Sequence, residues 1–332
     1  MHIIKFILVL NIICQIETNK LFDLCYFHCS SKITLKIKKG YNNILGNQSD
    51  GRFTDINYLK EVVINGNIQD TIEYKYNFTQ TENIVELIWH NNLKYCGFMF
   101  WRCSYIIEID LSDFHTSQVN AMNSMFAYCS SLSSLNLSNV DTSKVGYMNW
   151  MFYGCSSLKS LDLSKFNTSK VVAMNSIFAH CSSLTSLNLS NFDTSKVTGT
   201  NWMFAYCSSL TSLDLSNFNT SKVTDMNKMF IDCKLLTSLD LSNFNTSQVG
   251  TMESMFNGCR NLKYINLNNF DESKLKNVNN MFNNMYGNAI FCIKEINYES
   301  KMTSKLNNNK KCYAIDCTDD LNSIQNKIAY NN

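Results

Sequence analysis

Several things are missing from this sequence of 332 residues, and most of the absences exclude a class of function. Proline is absent altogether. Beside abundant Asn, Lys, Ile and Ser, that absence reads as coding bias and carries no functional message. An excess of charge is missing too, since 29 Lys and Arg stand against 27 Asp and Glu, a net charge of +2. That balance gives no strong electrostatic pull on nucleic acid. No Walker loop, dinucleotide fingerprint, HExxH or GxSxG occurs, so the usual signatures of nucleotide, redox, zinc-protease and serine-hydrolase chemistry are lacking. Histidine is rare, with five in the chain, and His115 and His180 replace ordinary residues of a repeat. They read as repeat variants and not as catalytic bases. The chain therefore reads as non-enzymatic, with no cofactor.

Beyond the N-terminus there is no long apolar run. Residues 1–18 read as a signal peptide: Lys5 is basic, and Ile3 to Ile13 is apolar apart from Lys5 and Asn11. That run is too short to span a bilayer as a helix. The polar end from Asn326 to Asn332 lacks the apolar tail of a GPI signal. The expectation is a secreted or cell-surface protein without a transmembrane helix in the mature chain.

What is present is a repeat. Cys103, Cys129, Cys155, Cys181, Cys207, Cys233 and Cys259 stand 26 residues apart without insertion or deletion. A period of that length with a Leu-x-x-Leu-x-Leu core signals a solenoid, in which each coil contacts its neighbours. Counted from each cysteine, position +6 runs from Ile109 and Leu135 through Leu161, Leu187, Leu213 and Leu239 to Ile265, and position +8 is always Leu. Two residues apart, they share one face of a strand. Position +11 is aromatic in all units but that of Val140. A polar corner follows, such as Asn219-Thr220-Ser221, whose residues favour turns and helix N-caps. Val223, Met226, Met229 and Phe230 then fall at helical spacing. The expected fold class is α/β: a leucine-rich-repeat-like right-handed solenoid with one parallel β-sheet, short helical segments opposite, and a β-rich N-terminal cap.

The boundaries follow from these patterns. Residues 19–92 form the cap, with strand-like alternation at Ile33, Leu35 and Ile37, at Ile72, Tyr74, Tyr76 and Phe78, and at Val85, Leu87 and Trp89. Residues 93–285 form the solenoid, and 286–332 a C-terminal cap and tail. The repeat cysteines are expected inward and mostly unpaired, each a small hydrophobe. Disulfides are expected instead among Cys25, Cys29 and Cys96, or among Cys292, Cys312 and Cys317. The cluster Cys25, His28 and Cys29 offers three metal ligands without a fourth, so disulfide or free thiols are preferred there.

The candidate binding face is position +7: Asp110, Asn136, Asp162, Asn188, Asp214, Asp240 and Asn266, flanked by serines. On the expected sheet these side chains face solvent. A calcium ladder along the row is disfavoured, because one flat row does not supply six to eight converging oxygens. Seven N-x-S/T sequons, at Asn47, Asn77, Asn136, Asn167, Asn188, Asn219 and Asn245, mark the chain as a candidate glycoprotein, although most arise from the repeat itself. Trp150 and Trp202 depart from the repeat, as do Glu108, Lys263 and Tyr264 near its ends.

The segment from Leu210 to Leu236 resembles the BspA-like leucine-rich-repeat surface proteins, and Asn83 to Phe100 looks like the opening of such an array. The resemblance covers about residues 83–285. It implies a secreted or surface-displayed adhesion-like protein that binds extracellular or surface proteins, or other cells, with no catalytic residues to carry over. On this reading the +7 face takes a protein or glycan partner. The alternative is a self-associating scaffold or coat without a specific ligand.

Overall fold

The computed structural model describes residues 31–46, 53–90, 93–287, 289–293 and 301–305. The signal-peptide segment, the Cys25, His28 and Cys29 cluster, Asn47, Cys312 and Cys317 lie outside the described residues.

Nine strands occur among them: β1 (Ser31–Asn43), β2 (Leu59–Ile64), β3 (Asn67–Ile68), β4 (Lys75–Trp89), β5 (Ile106–Asp110), β6 (Ser134–Asn136), β7 (Ser238–Asp240), β8 (Tyr264–Asn266) and β9 (Ile290–Cys292). They form a six-stranded sheet in the order β3-β2-β4-β1-β5-β6 and a three-stranded sheet β7-β8-β9. In β1, Ile33, Leu35 and Ile37 are buried and alternate with partly exposed residues, the period-2 pattern of a half-buried strand. The runs expected around Tyr76 and Val85 belong to one strand, β4, whereas Ile72 lies before it and is exposed. β1 pairs antiparallel with both β4 and β5. β5 is the first strand of the repeat, so the N-terminal segment continues its sheet directly.

The repeats do not form one uninterrupted parallel sheet. β5 and β6 pair in parallel at one end, and β7, β8 and β9 at the other. Between them, 159–163, 185–189 and 211–215 hold no strand. β5 reads Ile-Ile-Glu-Ile-Asp and β9 Ile-Phe-Cys, rich in good strand formers. But β6 and β7 read Ser-Leu-Asn and Ser-Leu-Asp like the central units, so composition does not separate strand from non-strand here. β6 and β7 are the units paired against β5 and β8. In the +6 column Leu135, Leu161 and Leu213 are only partly buried, whereas the +8 leucines from Leu111 to Leu267 are all buried.

The helical segments opposite are absent as well. No α-helix occurs among the described residues, and the only helical turns are of 3-10 type, Asp55–Tyr58 and Thr303–Lys305. The stretch holding Met122, Met125 and Phe126 is instead a chain of turns tied to the next unit. The N–H groups of Met122, Ser124, Phe126 and Tyr128 donate to the carbonyls of Tyr147, Asn149, Met151 and Tyr153 at 2.6–3.0 Å. The intervening N–H groups of Met125, Ala127 and Cys129 close local turns at 3.1–3.3 Å. Parallel bridges continue this side of the array from Tyr95 through Ala121, Tyr147, Ala173, Gly199, Asp225 and Thr251 to Asn277. Geometry forbids helices here. The buried rings of Phe100, Phe126, Phe152, Phe178, Phe204, Phe230, Phe256 and Phe282 stack with centroids 5.5–5.9 Å apart and within 12° of parallel. Neighbouring helices need about 8–10 Å.

Two further ladders stitch the units. The buried threonines Thr116, Thr142, Thr168, Thr194, Thr220 and Thr246 each donate the hydroxyl to a carbonyl of the next unit at 2.9–3.0 Å. The same hydroxyl accepts the N–H of that carbonyl's own residue at 2.7–2.8 Å. The cysteines from Cys129 to Cys259 donate their thiols to a phenylalanine carbonyl of the preceding unit at 3.0–3.2 Å. All seven repeat cysteines are buried and unpaired. Cys96 is also a buried free thiol, which removes it from the expected disulfide group. Cys292 is disulfide-bonded.

Candidate functional site

The seven residues of the +7 row occupy unequal positions. Asn136, Asp162, Asn188, Asp214 and Asp240 are exposed. Asp110 is half-buried beside Thr34 of β1. Asn266 is 4% exposed, contrary to a solvent-facing row, because β9 pairs alongside it and Cys292 is its partner. The row is therefore exposed in its centre and closed at its ends.

The side chains of this row are also occupied. In every one, Oδ1 accepts the backbone N–H two residues later, at 2.9–3.2 Å. These are Asx turns, which tolerate Asp and Asn equally. Their interchange along the row follows without any ligand. The arrangement recurs at position +12, where Asp141, Asn167, Asp193, Asn219, Asn245 and Asp271 accept from a serine N–H at 2.7–3.1 Å. The backbone N–H groups of Ser164 and Ser216 hold the carboxyls of Asp162 and Asp214 below the usual aspartate range.

A different surface gathers the residues that break the repeat. Trp150 stacks on Tyr153 with centroids 4.4 Å apart. Tyr153 touches Tyr128 and His180, each at 5.0 Å, and His180 stacks on Tyr206 at 4.3 Å. Arg102 lies 4.3 Å above the ring of Trp101 and 5.7 Å from that of Tyr128. Lys228 lies 4.6 Å above Trp202. The result is a strip of aromatic rings and cations crossing six successive units, in cation–π and stacked contacts. Burial lowers the His180 imidazole below its ordinary range, which keeps it neutral at physiological pH.

Two grooves follow the strip. One of about 440 Å³ is lined by Tyr128, Tyr153, His180 and Tyr206 with a row of serines. The other, about 710 Å³, lies between Trp101 and Arg102 on one side and Tyr147 and Trp150 on the other. Sequence reasoning singled out Trp150 and Trp202 but missed the strip. Its members sit at three different repeat positions, and only stacking of the units brings them together. The available signal was the concentration of aromatic exceptions within Tyr147–Tyr153.

The parallel bridges, leucine columns and inter-unit ladders define a leucine-rich-repeat array. Residues 19–147 match the BspA type leucine rich repeat region, a family model of 6 copies. Residues 91–213 and 174–291 match the family described as Mycoplasma protein of unknown function, DUF285. Together these two matches cover residues 91–291, more than half of the chain, and the protein belongs to the DUF285 family, with BspA-type leucine-rich repeats in its N-terminal part. The BspA-type match thus begins before residue 83 and stops at 147, while the later repeats answer to DUF285. No curated protein and no solved structure matches the chain.

Proposed function

We propose that this chain is a non-enzymatic, secreted or cell-surface leucine-rich-repeat protein that binds extracellular or surface proteins or glycans in the manner of an adhesin. BspA-type repeats belong to a non-enzymatic repeat family whose members are typically surface or secreted, and among the described residues no helix is long and apolar enough to cross a membrane. The observation that carries the binding function is the half-buried aromatic strip, with Trp150 and the neighbouring Tyr147 exposed beside it. A repeat that served only as a spacer has no need of Trp150 and Tyr147 in solvent, since exposed large aromatics mark contact surfaces. In this reading residues 1–18 are the export signal, 19–92 cap a right-handed solenoid of residues 93–285, and 286–332 form the C-terminal cap and tail.

The scaffold reading keeps one specific support. The +7 row already spends its side chains on Asx turns, so a regular polar face exists without a partner to select it. Full-length protein applied to live cells and to a panel of immobilised matrix proteins, with its size measured in parallel, separates the two. Saturable adhesion by a monomer is expected. Polymerisation without adhesion overturns the binding reading in favour of the scaffold.

A further inference from the structure

The larger groove has a chemistry of its own. Tyr147 takes the place of Ala121 and Ala173, Trp150 that of Ser124 and Ser176, and Tyr153 that of Ala127 and Ala179. Folding accounts for Tyr153 and Trp202, which pack against the small apolar cluster of Ala179, Ala205 and Ile231. It does not account for Tyr147 and Trp150, which remain 53% and 40% exposed. One face of Trp150 rests on Tyr153, and Tyr153 does not line the larger groove while Trp150 does. No other ring contacts Trp150 among the described residues, which leaves the opposite face of the indole open.

The groove wall also carries amides with spare capacity. Asn149 accepts the N–H of Asn175 through Oδ1 at 2.9 Å, and its Nδ2 has no partner among the described residues. Asn123 donates through Nδ2 to the Tyr95 hydroxyl at 3.4 Å, which leaves its Oδ1 free among them. No carboxylate lines the groove, and its single cation, Arg102, is held over two rings. The backbone is spent: the N–H groups of Phe98, Phe100, Arg102, Ser124, Phe126 and Tyr128 all donate to carbonyls of the following unit. A peptide adding as a strand finds no open edge here.

Flat aromatic faces, unpaired amides, a lone cation already held over two rings and no backbone edge match one ligand chemistry. We propose that this groove binds the pyranose rings of a neutral glycan. The C–H face of a sugar ring lies on Trp150 and Tyr147, and hydroxyls at its edge pair with Asn123 and Asn149. The volume of about 710 Å³ falls in the range of small-ligand clefts and suits a short oligosaccharide. The inference deepens the binding function proposed above and rests on it.

The test titrates neutral tetrasaccharides of the chitin, cellulose and mannan types into the full chain, read by tryptophan fluorescence and calorimetry. Binding of at least one is expected, weakened about tenfold or more by Trp150→Ala and separately by Tyr147→Ala, with thermal melting unchanged. Tyr105→Ala, equally exposed but outside the strip and both grooves, leaves the affinity alone. Two outcomes overturn the inference: no tetrasaccharide binds, or binding survives both groove variants. If the sugars fail while Trp150→Ala abolishes capture of a matrix protein, the glycan assignment falls and the binding function stands. If the chain adheres to nothing at all, both fall.

Discussion

The hydroxyl of Thr194 donates to the carbonyl of Asn219 at 3.0 Å and accepts the N–H of the same residue at 2.8 Å. One side chain thus satisfies both backbone groups of a residue in the next unit. Thr194 is buried, so water cannot replace it. Thr194→Val keeps the shape and strands two polar groups, each costing about 1–3 kcal/mol when left unpaired. A loss of about 2 kcal/mol or more in urea unfolding is expected, with most of it restored by Thr194→Ser. Equal stability of the valine and serine variants shows that the ladder contributes packing alone.

The Asx turns make a prediction about acid. The carboxyls of Asp141, Asp162, Asp214 and Asp271 are lowered, in each case first by a backbone N–H two residues on. A folded pKa below the unfolded value of about 3.9 contributes stability above that pH and loses it as the pH falls through the folded value. Stability should therefore hold from neutral pH down to about 4 and fall below it. Asp→Asn variants at these positions keep the acceptor and remove the titration, so the urea midpoint of the combined variant should depend less on pH between about 4 and 2. An unchanged acid limb assigns the loss to other carboxylates.

The same turns alter what substitution of the candidate face tests. Asn188→Ala removes an acceptor that holds the N–H of Ser190 at 3.0 Å. Because the site is exposed, water takes over part of the bond, and the expected loss is about 1 kcal/mol or less. Leu189→Asp, one residue away, puts a charge into a fully packed column and should unfold several units together. Leu189 is a stricter probe than Leu187, which is 8% exposed. Two variants that melt alike show that the burial order of this segment is wrong.

The repeat, its leucine columns and the inward cysteines were legible because each is a property of one unit: a period, an alternation, an apolar position. The turn segment was not. Val223, Met226, Met229 and Phe230 satisfy a helical template, yet Lys228 and Asp232 have φ of 55° and 54°, which breaks any helix there. The equivalent residues of other units, including Ser124, Tyr128, Trp150 and His180, are also left-handed, and most carry side chains that conceal it. Only Gly154 and Gly258, at φ 72° and 80°, betray the conformation in the sequence. The hydrogen bonds that stabilise it run between units, where single-unit periodicity carries no information. The candidate site was illegible for the same reason: Trp101, Tyr128 and Trp150 are far apart in the chain and meet only across stacked units.

The thiol ladder gives the last prediction. Cys155, Cys181 and Cys233 are fully buried, and burial is the first cause raising each thiol well above its ordinary range. The Cys207 thiol is pushed up to about 12. Alkylation needs the thiolate and access to it, and the ladder denies both. The native protein at pH 8 should therefore leave Cys96 and the seven repeat cysteines unmodified by iodoacetamide, and all eight should react once the chain is unfolded without reductant. Exposure of one ladder cysteine requires separation of adjacent units, since each thiol bonds the carbonyl of the unit before it. In partial urea the ladder cysteines should become reactive together, over the same range in which tryptophan fluorescence changes. Sequential labelling from one end instead shows units that open one at a time. Resistance of any of the eight in the unfolded chain shows a disulfide where the structure has a free thiol.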